Sequence, residues 1–141
     1  MKKNSVARKG IFISILIALF ATISISYAES SEKNQRPVFY GSWEGMGSQD
    51  TDSTWSIRLK IRSETFIIEY PSLKCGGELS LLEQGEHFMR FKEKITDGRQ
   101  NCIDGGTIVI QETEPDQLKY EWFYPNGKLG AVGLLKKVKA E

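Results

Sequence analysis

The chain has 141 residues, with 19 Lys and Arg against 18 Asp and Glu, one histidine and two cysteines. This length suits a single domain around one core. Near-neutral charge supplies no basic surface for nucleic acid, and two cysteines with one histidine fall short of the four ligands of a structural zinc site.

The first residues carry Lys2, Lys3, Arg8 and Lys9 with no acid, then the apolar run "IFISILIALFATISI", then Ser26 and Ala28 in "SYAES". The run is shorter than the roughly 20 residues that cross a bilayer. This order of a basic region, an apolar region and small residues predicts a secretory signal peptide cut after Ala28. The expected product is periplasmic or secreted, with no membrane span after cleavage. Removing the four basic residues of the leader and no acids leaves 15 Lys and Arg against 18 Asp and Glu, a net charge of −3. A weakly acidic domain has no electrostatic reason to hold DNA, RNA or anionic lipid.

Residues 29–37 read as a disordered leader, residues 38–138 as one β domain and residues 139–141 as a tail. Eight strand signals follow one another. "FYGSWEGM" is the first. In "TWSIRLKIR", Trp55, Ile57, Leu59 and Ile61 alternate with polar residues, as in a half-buried antiparallel strand. "ETFIIEY" places Phe66, Ile68 and Tyr70 inward, "CGGELSLL" places Gly77, Leu79 and Leu81 inward, and "HFMRFKEKI" groups Met89, Phe91, Glu93 and Ile95. "GTIVIQ" is mostly apolar, and "QLKYEWFY" aligns Leu118, Tyr120, Trp122 and Tyr124. "PNGK" then turns the chain into "LGAVGLLKK", Asn126 and Gly127 both tolerating positive φ.

Connections are too short for the crossovers that parallel strands need, so the sheet is predicted to be antiparallel throughout. An open sheet of eight strands leaves two exposed edges, and closure into an up-and-down barrel removes both. A two-sheet sandwich is the alternative. In an exported domain Cys75 and Cys102 are expected to form a disulfide. It would tie the long connection before the sixth strand over one barrel end and contribute about 3 to 4 kcal/mol on the loop-entropy account.

Gly41-x-Trp43 in "YGSWEG" resembles the opening of the calycin barrels, the lipocalins and avidins. The resemblance implies a glycine that lets the chain bend and a tryptophan that plugs the closed end. "YPSLKCGG", "RFKEKITDGRQNCIDGG" and "LKYEWFYPNG" resemble a group of small exported bacterial domains of uncharacterised function, also met as extracellular segments of bacterial Ser/Thr kinases. That likeness runs from Trp43 to Leu135 and implies a domain type rather than an activity.

Glu93 is the residue most at odds with its position, because a carboxylate on an apolar face is costly unless paired or protonated. It would orient a ligand or act as an acid of raised pKa. Otherwise a bulge after Phe91 returns it to solvent, Arg90 or Arg99 pairs with it, or the strand ends early. The rings of Trp43, Trp55, Phe66, Phe91, Tyr120 and Trp122 either fill the barrel or line a space for one small molecule. Inward Gly41, Gly45, Gly77, Ala131 and Gly133 leave room in either case.

His87 is expected at an exposed turn. Asp50 and Asp52 lack the glycine and later glutamate of a calcium loop, and Asp104–Gly106 lacks the lysine of a phosphate loop, so both read as turns. A nucleophile with an adjacent base is missing. Glu69 and Glu121, the candidates to pair with Glu93 for glycoside chemistry, fall on the outward parity. An enzyme is therefore not expected.

Two functions remain. One is a barrel binding a small apolar or aromatic ligand through Trp43, Trp55, Phe91, Glu93, Tyr120 and Trp122. The other is a module contacting an envelope protein through outward Ile67, Leu82, Val109 and Phe123. Neither needs a metal or a cofactor.

Overall fold

The computed structural model describes residues 37–50 and 52–139. The predicted signal peptide and most of the leader lie outside the described residues. A short 3-10 turn, Pro37–Phe39, precedes β1 (Gly41–Ser48), β2 (Thr54–Ile61), β3 (Phe66–Tyr70), β4 (Cys75–Gln84), β5 (Phe88–Asp97), β6 (Thr107–Glu114), β7 (Gln117–Phe123) and β8 (Leu129–Lys137). A second 3-10 turn, Pro71–Leu73, joins β3 to β4.

Each strand pairs with the next, and β1 pairs with β8, giving a closed barrel. Every pairing is antiparallel. The eight-stranded up-and-down barrel predicted from the sequence is thus the fold, and the sandwich is not. Among the described residues every strand is therefore paired on both sides, which leaves no edge strand there for another chain to extend.

The period of two decides which side chains go inward. Ile57, Leu59 and Ile61 of β2, Met89, Phe91 and Ile95 of β5, Ile108 and Ile110 of β6, and Leu118 and Tyr120 of β7 are all buried. Each fully buried aliphatic or phenyl side chain contributes roughly 1.5–3 kcal/mol. Leu81 departs from the expected pattern. The β4–β5 register shifts between Leu81 and Glu83, and Leu81 sits at the barrel rim, 39% exposed. Leu81 still lies opposite the buried Phe91, and the added residue, Leu82, breaks the strict alternation only after it.

The Pro125–Lys128 turn is also built differently from expectation. Gly127 takes a positive φ of 84°, whereas Asn126 does not. Asn126 instead accepts the Lys128 amide on its side-chain oxygen at 3.0 Å.

The two ends of the barrel differ. At one, the turn before β1 folds beneath the interior, and the Trp43 indole N–H donates to the Phe39 carbonyl at 2.9 Å. Trp43 and Phe39 are 1% and 2% exposed, and the Lys137 ammonium lies 5.2 Å from the Trp43 ring centroid. This is the closed end. The other end gathers the β1–β2, β3–β4, β5–β6 and β7–β8 connections. Cys75, at the start of β4, is disulfide-bonded to Cys102 in the β5–β6 connection, which ties that connection over the barrel mouth as the sequence predicts.

Candidate ligand-binding site

Beneath those four connections is a cavity of about 290 Å³. Its walls include Trp55 from β2, Tyr70 from β3, Glu93 and Ile95 from β5, Tyr120 and Trp122 from β7 and Ala131 from β8, while Leu73, Cys102, Ile103 and Tyr124 stand around its mouth. Leu73 and Ile103 are 36% and 53% exposed, so the mouth has an apolar rim.

At the floor is a hydrogen-bonded group of four side chains from three strands. The Tyr70 hydroxyl donates to Glu93 Oε1 at 2.6 Å, and the Trp122 indole N–H donates to Glu93 Oε2 at 2.8 Å. The Tyr120 and Tyr70 hydroxyls are 2.9 Å apart. Glu93 is 2% exposed, and burial holds its carboxyl above the usual range, against the opposing effect of the Tyr70 and Trp122 hydrogen bonds. Burial likewise raises both tyrosine hydroxyls, keeping them protonated.

None of the three ordinary accounts of Glu93 applies. The strand runs on to Asp97, Arg90 pairs with Glu83 at 3.3 Å, and Arg99 donates through Nε to the Ile95 carbonyl at 3.0 Å. The carboxylate points inward and is satisfied by neutral donors.

Local backbone fixes the other side of the group. Gly106 and Gly130 flank the Trp122 indole, and a Cβ at either would run into the ring. Only glycine lets backbone and indole approach this closely. The Tyr124 ring then meets Trp122 edge-on, with centroids 4.8 Å apart and planes at 73°. Gln49 of the β1–β2 connection donates to the Tyr124 hydroxyl across the mouth. Asp104 steadies the β5–β6 connection by accepting the Ile95 and Gly105 amides, both at 2.8 Å, which lowers its own pKa, the Ile95 bond most strongly.

Of the six residues expected to contact a ligand, the structure brings Trp55, Glu93, Tyr120 and Trp122 together around the cavity. Trp43 and Phe91 are buried elsewhere: Trp43 plugs the closed end, and Phe91 packs on Phe66 with centroids 5.1 Å apart. Tyr70 was legible as inward but not as a partner of Glu93. Leu73 and Ile103 reach the site from connections, where strand parity gives no signal, whereas Tyr124, aligned with Tyr120 and Trp122 in the sequence, stands at the mouth just past the end of β7.

The other candidates fall away from this site. His87 sits in the β4–β5 turn, exposed, 3.3 Å from Glu112. Asp50 accepts the Asp52 and Ser53 amides at 3.1 and 2.9 Å, as a turn residue does. The outward set of Ile67, Leu82, Val109 and Phe123 is interleaved with polar neighbours. Ile67 lies between Lys60 and Glu78, and Val109 between Arg90 and Glu121.

No family model matches the chain, and no curated protein matches it. A solved structure does. A redesigned beta barrel, mFAP1, bound to DFHBI, superposes with a TM-score of 0.53 at 13% identity, covering 71% of this chain and 95% of that one. At that identity the likeness is one of fold: the chain shares a β-barrel architecture.

Proposed function

We propose that the protein is an exported barrel that binds a small apolar or aromatic molecule in the cavity at its open end. The observation that carries this reading is the cavity itself. Its walls are mostly apolar and aromatic, with a few convergent polar groups and one carboxyl of raised pKa, the combination that marks small-molecule sites. Its volume of about 290 Å³ is at the lower end of the roughly 300–1,000 Å³ usual for such sites. The occupant is accordingly small. The similar redesigned barrel is bound to DFHBI, which supports the view that this architecture accommodates a bound compound.

Export belongs to the same proposal. The Cys75–Cys102 disulfide accords with an oxidising compartment, and among the described residues no helix is long and apolar enough to cross a membrane. We favour binding over catalysis because His87 lies in a turn at the barrel end opposite the cavity, while Glu121 pairs with Lys119 at 2.7 Å rather than joining Glu93. Contact with an envelope protein through the outer wall is the weaker alternative, because charged side chains flank Ile67 and Val109 on both sides.

The test uses N-phenyl-naphthylamine, a neutral fluorophore that brightens in apolar surroundings. Wild-type protein is expected to bind it, and Ala131→Leu is expected to abolish binding while the domain stays folded. Ala131 is buried, lines the cavity and lies opposite Trp122 in the β7–β8 register, so a larger side chain there fills the space. Equal binding by wild type and variant would overturn the assignment of the cavity.

A further inference from the structure

We infer that the molecule held in the cavity is a planar aromatic cation whose N–H groups donate to the Glu93 carboxylate. This rests on the cavity being a binding site and goes beyond it, to the charge and hydrogen-bonding sense of the occupant.

The direction of the hydrogen bonds carries the argument. Tyr70 donates its proton to Glu93 Oε1. The bond between the two tyrosine hydroxyls must then be donated by Tyr120, since Tyr70 has only one proton. Trp122 donates to the second carboxylate oxygen. All three donors of the group are therefore committed toward Glu93, and none is left to point at a ligand.

Acceptors remain. A carboxylate offers about four lone-pair sites, and Glu93 has one donor on each oxygen. The floor can receive hydrogen bonds from an occupant but cannot give them.

Charge points the same way. Among the described residues lining the cavity, Glu93 is an acid and none is Lys, Arg or His. Asp104 lies near enough to oppose the ionisation of Glu93, and adds negative potential at this end. Arg99 is occupied with the Ile95 carbonyl and with the charge of Asp104. An anionic occupant, such as a fatty acid, would meet repulsion and no donor at the floor. A cation would supply the counter-charge that a buried carboxylate otherwise lacks, and the rings of Trp55, Trp122 and Tyr124 add cation–π attraction.

The test compares two probes on similar three-ring frames, proflavine, a planar cation with N–H donors, and anthracene carboxylate, an anion. Each is titrated directly and by displacement of N-phenyl-naphthylamine, so that binding is read at the cavity rather than at the acidic surface. Proflavine is expected to bind about tenfold more tightly or better, the scale of one charge-assisted hydrogen bond. Glu93→Gln is expected to remove that preference, read as the ratio of the two probes' directly titrated affinities in the folded variant. The wild-type protein supplies a second reading. Facing Glu93 are Tyr70 from β3, Tyr120 and Trp122 from β7, and Asp104 from the β5–β6 connection. Asp104 is held below the usual carboxylate range and both tyrosines are held above their usual range, whereas Glu93 is held above the usual carboxylate range, so proflavine affinity should rise as pH rises through the Glu93 ionisation.

Equal affinity for the two probes, a preference for the anion, or a cation preference unchanged in Glu93→Gln would each overturn the inference and leave the cavity assignment standing. Failure of all three probes to bind would overturn the cavity assignment, and the inference with it.

Discussion

The Trp122 indole N–H reaches Glu93 Oε2 at 2.8 Å although their strands are not neighbours: β6 lies between β5 and β7. The bond therefore crosses a chord of the barrel interior and depends on the wall's curvature. Trp122→Phe keeps most of the ring and deletes the donor, leaving a buried oxygen of Glu93 unmet. The expected cost is about 1–3 kcal/mol, read as a lower urea midpoint at unchanged slope. An unchanged midpoint would remove this bond from the stability of the fold.

Glu93 gives the domain a pH dependence whose sign is fixed. Burial holds its native-state carboxyl above the ordinary 4.5, so the folded protein binds this proton more tightly than the unfolded chain does. The stabilisation is fully present below the ordinary value and is lost as pH rises through the native-state value. Glu93→Gln cannot titrate. Its amide can donate to Tyr70 and accept from Trp122, as the protonated acid would, so the variant should fold. Thermal midpoints taken from about pH 4 to 8 should fall more for wild type than for the variant. Parallel curves would show that Glu93 is not ionising against its surroundings.

Strand parity carried the reading of the fold a long way and the reading of the site only half way. Inward Trp55, Glu93, Tyr120 and Trp122 were visible because period two assigns a face without knowing the neighbours. What joins them was not visible. Tyr70 and Glu93 are 23 residues apart in sequence, and their contact is set by register and closure, not by local pattern. Trp43 and Phe91 show the complementary error. Parity places a ring inside the barrel but not at a height along its axis, and only the height separates the plugged end from the hollow one. The bulge near Leu81 was hidden because two successive leucines, Leu81 and Leu82, do not by themselves say which residue leaves the ladder.

Double replacement, Cys75→Ser with Cys102→Ser, should separate stability from binding. Loss of the cross-link is expected to cost about 3–4 kcal/mol in denaturant unfolding. The β5–β6 connection has other anchors, however. Asp104 holds the Ile95 amide at 2.8 Å, and Asn101 donates to the Lys74 carbonyl at 3.2 Å. Affinity for N-phenyl-naphthylamine in the folded variant should therefore fall less than about tenfold. A complete loss of binding with the domain still folded would mean that the disulfide alone shapes the mouth.

Trp43 provides the opposite control, because it belongs to the core and not to the cavity. Its indole is 1% exposed, donates to the Phe39 carbonyl and lies under the Lys137 ammonium, all at the closed end. Trp43→Ala removes the ring, the hydrogen bond and the cation–π contact together, and should cost about 3–5 kcal/mol. Probe affinity per folded molecule should nevertheless match wild type, because Ile57, Leu59, Phe91 and Ile110, all buried, remain to fill the interior. Ala131→Leu should do the reverse, blocking the probe at little cost in stability. If Trp43→Ala instead weakened binding as strongly as Ala131→Leu does, the hollow would have to run the length of the barrel, and the division into a plugged half and a binding half would be wrong.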